Sequence, residues 1–384
     1  MFFLIRPTGF HCQLQCGYCY YKVGREGMRQ APGERMPIAI VRRLLDGLHA
    51  IPGNHTFCLH GGEPLLVGKE WFGELLETVS FYNSSHVEDG TVSVTLQTNA
   101  ILVDEEWVRL FKEGQISVSL SLDGPEDVHD AARVDRRSLG THAKVLSSIQ
   151  VLADAGIRLG CIAVATAKTV EQDPREYYDY FKSLPLLNGL DITPYIETGS
   201  TPIELAAKRS YEPEPQLLTR FLCELFDLWL LDQDSDKKVD IRMFEQLVGV
   251  ILDFKPSLCS LMQGASCGRT PSVLPNGDVY ACDLDVDIDG LEFKMGSLLV
   301  DSIADICSGD RLEDLHSKFS AGMRARGCVT CDVLQYCSLT CPRHTFSNRD
   351  HSPYCRMMHE IVGHAKKRLD GVSRSAFSAP IHFD

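Results

Sequence analysis

The sequence lacks a long hydrophobic run, an excess of basic residues and a secretory signal. Met1-Phe2-Phe3-Leu4-Ile5 is apolar, but Arg6 and Pro7 end the run there. No later stretch approaches the roughly 20 apolar residues that a membrane helix needs. Lys and Arg number 38 against 52 Asp and Glu, a net charge of −14. That balance argues against a nucleic-acid partner, whose phosphates demand cations. Without a secretory signal, fifteen cysteines point away from a disulfide framework and toward metal ligation in the reducing cytoplasm. At 384 residues the chain can bury a large core in one domain or two.

The cysteines fall in groups. Cys12, Cys16 and Cys19 are spaced Cys-x3-Cys-x2-Cys. Three thiolates are one short of the four that fill an iron–sulfur cluster, and an open metal position is what a catalytic site keeps. A structural zinc or a disulfide is the alternative; a zinc here would want a fourth ligand, and His11 reaches it only awkwardly from beside Cys12. The spacing, with Tyr18 before the last cysteine, resembles the radical S-adenosylmethionine (SAM) superfamily. The resemblance implies that the open iron binds the amino and carboxylate groups of SAM.

From residue 1 to about 200, strand and helix patterns alternate. Strand candidates are Phe2–Pro7, Thr56–His60, Val92–Thr98, Ile116–Leu122, Arg158–Ala165 and Leu190–Ile196, with amphipathic helical stretches between. Asp104 before Glu105-Glu106-Trp107 reads as a helix N-cap. Such repeats imply a parallel sheet. The expected fold is α/β: a partial (β/α)6 TIM barrel over 1–200, a helical bridge over 201–256, and a small cysteine-rich domain with a C-terminal helix over 257–370, then a flexible tail, 371–384. By resemblance the barrel is open and its site lies at the C-terminal strand ends. His60-Gly61-Gly62-Glu63-Pro64 follows strand two; glycines let a backbone approach a ligand closely, and Glu63 offers a carboxylate. The family's GGEP motif binds the SAM amino group. Gln97 and Asn99 end strand three, and Ser119, Ser121 and Asp123 end strand four, all groups suited to a ribose or a charged ligand. Arg133 is placed to hold the SAM carboxylate, and Tyr18 to pack near the adenine. Singly, each is more often a satisfied loop or core group.

Beyond Cys259 the pattern is Cys267-x9-Gly277-x4-Cys282, then Cys328-x2-Cys331-x5-Cys337-x3-Cys341 and Cys355. This resembles a SPASM domain, the extension of peptide- and protein-modifying radical SAM enzymes. Pro275-Asn276-Gly277-Asp278 reads as a hairpin turn. The resemblance implies two auxiliary 4Fe–4S clusters, one on Cys259, Cys267, Cys282 and Cys341, the other on Cys328, Cys331, Cys337 and Cys355. Cys259 is the loosest match, and two zinc sites are the alternative. Cys58, Cys161, Cys223 and Cys307 read as buried thiols.

The resemblance is nearest to anaerobic sulfatase-maturating enzymes and the related ribosomal-peptide maturases. In the sulfatase group an aspartate at the position of Asp283 is the general base; a turn cap is the plainer role for it. Asp285, Asp287 and Asp289 alternate but lack the glutamate of a calcium loop. That group has Gln before GGEP, whereas this chain has His60, which looks more like the maturases that crosslink short peptides. The expectation is therefore a cyclophane-type crosslinking maturase, with Asp283 and His60 catalytic. Oxidation of Ser or Cys to formylglycine is the alternative, and an iron–sulfur electron carrier or redox sensor the alternative of another class. The implied partners are a short precursor peptide or a sulfatase and a one-electron donor such as flavodoxin or ferredoxin; neither nucleic acid nor membrane is expected. Iron and sulfide analysis after anaerobic reconstitution should find three 4Fe–4S clusters; a single cluster, or stoichiometric zinc, would remove the SPASM assignment.

Overall fold

The computed structural model describes residues 1–22, 34–86, 90–196, 209–232, 237–257, 259–262, 267–283, 293–341 and 352–370. Asp285, Asp287, Asp289 and the tail 371–384 lie outside them.

The strand–helix alternation builds one sheet. Strands β1 (Phe2–Ile5), β2 (His55–Leu59), β3 (Val92–Thr98), β4 (Ser117–Ser121), β5 (Leu159–Ala165) and β6 (Leu187–Pro194) lie side by side in chain order, all parallel. Val92, Val94 and Leu96 alternate inward along β3, as the period of two requires. Between the strands run α1 (Ile38–Gly47), α2 (Lys69–Ser85), α3 (Glu105–Glu113), α4 (His142–Asp154) and α5 (Pro174–Ser183). Ile40, Val41, Leu44 and Leu45 form the buried stripe of α1. Asp104 caps α3, its side chain accepting from the N–H groups of Glu106 and Trp107. Asp173 caps α5 in the same way ahead of Pro174, a residue suited to the first turn.

The sheet does not stop at six strands. Beyond β6 lies β7 (Asp240–Ile241), parallel, in the stretch expected to be only helical. On the other edge, β8 (Ser272–Val273) pairs parallel with β1, and β9 (Asp278–Tyr280) and β10 (Lys294–Ser297) follow antiparallel. The cysteine-rich region is thus joined to the barrel by backbone hydrogen bonds, Leu4 N–H to Pro271 O and Arg6 N–H to Val273 O. The Asn276–Gly277 turn closes the hairpin, with Gly277 at φ +84, where a side chain would be strained.

Helix α6 (Pro215–Leu231) buries Leu218, Phe221, Leu222, Leu225, Phe226 and Trp229; Leu217 is exposed. This stripe packs on α5, where Phe221 meets Tyr177 edge-on at 5.3 Å, and on the final helix. Helix α7 (Arg242–Ile251) adds Phe244 against Phe226. Among the described residues three further helices follow, α8 (Ile303–Ser308), α9 (Asp310–Ala325) and α10 (Ser352–Arg368). The core is continuous from the barrel into the C-terminal region, with Ile5, Val273 and Ile303 in one cluster. No helix among the described residues is long and apolar enough to cross a membrane.

Candidate active site

The loop carrying Cys12, Cys16 and Cys19 follows β1 and lies across the C-terminal strand ends. It is fixed from two sides. On one side Gly17 N–H donates to Ala132 O and Gln15 N–H to Val134 O. On the other lies the His60–Pro64 turn after β2, where Gly62 N–H donates to Gly9 O and Glu63 N–H to His11 O. A Cβ on Gly62 would fall 2.1 Å from His11 O, and one on Gly61 2.5 Å from Gly9 O. The two glycines therefore admit the close approach of the cysteine loop.

Glu63 is fully buried. Its carboxylate accepts from Leu65 N–H at 3.0 Å, the Thr98 hydroxyl at 2.8 Å and Asn99 N–H at 2.8 Å. Burial raises its pKa to about 7, against the lowering effect of those hydrogen bonds. The carboxylate that the motif offers for a ligand is thus engaged in joining β2 to β3, and Pro64 opens the short turn that follows it. Asn99 passes the connection on, its Nδ2 donating to Cys12 Sγ at 3.6 Å.

Asp123, at the end of β4, is a second buried hub. It accepts from Val164 N–H at 3.0 Å and the Tyr18 hydroxyl at 2.5 Å and pairs with Arg133 at 3.0 Å. The Arg133 guanidinium also lies over the Tyr18 ring, 5.4 Å from its centre. Gln97 Nε2 donates to Ser121 Oγ at 3.1 Å, while Ser119 lies against Gly160 of β5. Two buried polar atoms here have no hydrogen-bond partner, Gln97 Oε1 and Arg133 Nε. An acceptor and a charged donor left open at the strand ends suit a ligand carrying both an amine or hydroxyl and a carboxylate. A cleft of about 510 Å³ lined by Cys12, Leu14, Gln15 and Arg136 opens beside the loop, a volume typical of small-molecule sites.

The thiols fit iron–sulfur clusters. All fifteen cysteines are free of disulfides. Burial pushes the Cys12 thiol up to about 12, with Glu63, Cys16 and Cys19 adding repulsion; thiolates crowded in this way need a cation. Cys267 feels the charge of Cys259, and Cys337 that of Cys355, Cys331 and Cys328. Cys282 lies just past β9, and Cys341 just past the 3-10 turn Ser338–Thr340, which packs on the Cys259–Met262 turn.

Asp283 and His60, far apart in sequence, are linked at the strand ends through Tyr20 and Tyr21, whose rings lie 4.3 Å apart. Asp283 Oδ2 accepts from the Tyr20 hydroxyl at 2.6 Å, and its backbone carbonyl accepts from the Arg6 guanidinium at 2.8 Å. Tyr21 OH lies 3.1 Å from His60 Nδ1. Arg6, fully buried, sits over the rings of Tyr21 and Phe10 at 4.9 and 5.4 Å. Burial lowers His60 to about 4, Asp283 pulling up and Arg6 pushing down. Burial likewise holds Tyr20 well above the usual phenol range, with Asp283 adding to the effect, so Tyr20 donates. The sequence reading omitted Arg6, Tyr20, Tyr21 and Tyr211. A lone cation closing an apolar strand, and two tyrosines directly after Cys19, were the available signals for the first three. Tyr211 had none; a Cβ on Gly17 would fall 2.0 Å from its hydroxyl oxygen.

An open α/β barrel with a three-thiol loop at its strand ends, continued into a thiol-rich region, defines an enzyme of SAM and iron–sulfur chemistry. Residues 7–180 match the radical SAM superfamily and residues 267–341 the SPASM iron–sulfur cluster-binding domain; the chain is a radical SAM enzyme carrying a SPASM domain, with SAM and 4Fe–4S clusters as its cofactors. A cysteine-type anaerobic sulfatase-maturating enzyme of Clostridium perfringens (strain 13) is 29% identical, covering 97% of this chain and 98% of that one. A serine-type counterpart from Bacteroides thetaiotaomicron is 25% identical, covering 96% and 90%. The solved structure of native anSMEcpe with bound AdoMet and Cp18Cys peptide is 26% identical, with TM-score 0.81, covering 98% and 99%. Streptococcus suis SuiB bound to its precursor peptide SuiA shares only 15% identity, at TM-score 0.59.

These likenesses overturn the crosslinking, cyclophane-forming reading. It rested on His60 in place of Gln, one residue whose immediate partner is Tyr21, whereas the sulfatase-maturating likeness runs the length of the chain.

Two tests follow from this geometry. Gly62→Ala should displace the cysteine loop and cost the N-terminal cluster while sparing the auxiliary ones, as loss of about four irons and of SAM cleavage would show. His60 ordinarily titrates near 6.5 and in the fold near 4, so protons bind the unfolded chain first. The stability tied to its neutral ring is whole above pH 6.5 and declines as pH falls toward 4. His60→Gln should flatten that acid limb, as unfolding midpoints across the window would reveal.

Proposed function

We propose that the chain oxidises a cysteine or serine side chain of a protein substrate to formylglycine, as a sulfatase-maturating enzyme. The observation that carries this reading is Asp283, a carboxylate held at the barrel mouth by Tyr20 and Arg6, beside His60. Turning a Cys or Ser side chain into an aldehyde-level carbon removes two electrons and two hydrogens: one electron leaves with the hydrogen atom taken from carbon and the other passes to an auxiliary cluster. Serine gives the aldehyde directly, whereas the thioaldehyde from cysteine then takes up water and releases hydrogen sulfide. Cys12, Cys16 and Cys19 would hold the cluster at which SAM binds, and the two together would supply the capacity to take a hydrogen atom from carbon.

The remaining proton needs an acceptor, and Asp283 Oδ2 is that acceptor. Tyr20 O–H orients the carboxylate, and Arg6 clamps its backbone. His60, neutral at pH 7, borders the carboxylate through Tyr21, which packs on Tyr20. Gln97 Oε1 and Arg133 Nε, the open polar atoms, bind the SAM amine and carboxylate, with Asn99, Ser119, Ser121 and Tyr18 bordering the same strand ends. Glu63, Gly61, Gly62, Pro64 and Asp123 act behind them by fixing the loop and Arg133. The auxiliary ligand sets are Cys259, Cys267, Cys282 and Cys341, and Cys328, Cys331, Cys337 and Cys355. The barrel is assigned to 1–200, the helical bridge to 201–256 and the SPASM region with its C-terminal helix to 257–370. A flavodoxin or ferredoxin supplies electrons in the cytoplasm, where fifteen free thiols survive.

Anaerobic incubation with sulfatase-derived peptides bearing Cys or Ser, read by tandem mass spectrometry, tests the reading. The expected product is a carbonyl at that residue; SAM cleavage with both peptides unchanged would sink it. Asp283→Asn should still cleave SAM but form product roughly 10²–10⁴ slower. If the residue only caps a turn, the same change should cost cluster content and leave turnover per intact enzyme near wild type.

A further inference from the structure

Cys331 has a neighbour that the thiol spacing does not supply. Its Sγ lies 3.6 Å from Nε2 of His359, and the adjacent Asp332 places Oδ1 3.5 Å from the other ring nitrogen, Nδ1. One ligand atom from each residue lies within 4.8 Å of the others. His359 stands on α10 four residues after Cys355, a spacing that puts both on one helix face. Cys337 lies close enough to feel the charges of Cys355, Cys331 and Cys328. Four thiols already fill a 4Fe–4S cluster, so the imidazole stands outside the ligand set and touches it through sulfur. A sulfur bound to iron has no hydrogen to give, which leaves the ring N–H as the donor.

We propose that His359 donates a hydrogen bond from Nε2 to the Cys331 sulfur and raises the reduction potential of the second auxiliary cluster. The inference rests on Cys328, Cys331, Cys337 and Cys355 forming one cluster. Adding an electron increases the negative charge on the ligand sulfurs, and a donor aimed at one of them stabilises that state more than the oxidised one. Hydrogen bonds to sulfur are among the factors that set cluster potentials, and outer partners of metal ligands tune the metal. His359 touches no substrate; it is a positioning residue whose effect passes through Cys331. A more oxidising outer cluster draws the electron released by substrate oxidation away from the barrel.

The side chain of His359 is 46% exposed, so replacing it leaves the core intact. The test is a redox titration of the reconstituted full chain followed by EPR, with ¹⁵N-histidine labelling and iron analysis. His359→Ala should keep its iron, lose a weak ¹⁵N coupling, and lower the reduced-to-oxidised ratio of one auxiliary signal at fixed poise by up to about tenfold, equal to ~59 mV for one electron. His359→Gln, whose amide N–H can also face the sulfur, should recover part of the shift. An unchanged potential with iron retained overturns the proposal. So does the strong coupling of a metal-bound nitrogen, or loss of about four irons in His359→Ala, either of which makes His359 a ligand. Wild-type protein lacking the second cluster removes the underlying reading instead, and iron analysis separates that failure from the others.

Discussion

One buried carboxylate sets the geometry of the barrel mouth. Glu63 ties the end of β2 to the end of β3 through Thr98 and Asn99. Its backbone grips the cysteine loop through His11 O and the Thr8 hydroxyl. Burial opposes the charge, and an unpaired carboxylate here would be costly; three donors offset that cost. Asn99, held in this way, reaches Cys12, so the first thiol of the loop is located by a carboxylate it never touches. The neighbouring glycines serve the same end by letting two backbones lie in contact.

The second constraint is the pairing of β8 with β1. It places the hairpin β8–β9 beside Arg6, so the chain leaves β9 through Cys282 and delivers Asp283 to the barrel mouth. There the Arg6 guanidinium lies between aromatic faces and the Asp283 carbonyl, an arrangement suited to arginine's planar, weakly hydrated cation. Tyr20 approaches from the cysteine loop. A residue of the SPASM region and a residue of the radical SAM loop, 263 positions apart, therefore share one hydrogen bond. The cysteine loop and the thiol-rich region are physically adjacent for this reason.

Legibility in the sequence followed the range of the forces involved. Asp104 was readable as a cap because its bonds reach Glu106 and Trp107, two and three residues away. Strands β1 to β6 were readable because burial on a pleated sheet imposes a local period. Strand β7 was not, since Asp240–Ile241 is too short to show one and exists only by pairing with β6. The bonds of Glu63 to Thr98 and Asn99 were not readable, because a GGEP turn looks alike whether or not its carboxylate also joins two strands. His60 misled for a similar reason: one polar residue beside a motif carries too little information to select a substrate.

By itself the sequence determined the chemistry available to this protein. Thiols at fixed short spacings reach a common metal because the chain between them cannot separate them far, and alternating apolar patterns must form strands and helices. Only the tertiary structure decided which groups meet. Long-range sheet pairing brought Asp283 to Tyr20 and Arg6. Close backbone packing assigned Gly61 and Gly62 to the cysteine loop. The docking of the last helix set His359 against the Cys331 sulfur. Those contacts depend on where distant segments come to rest, a property of the whole packed core that no local pattern encodes.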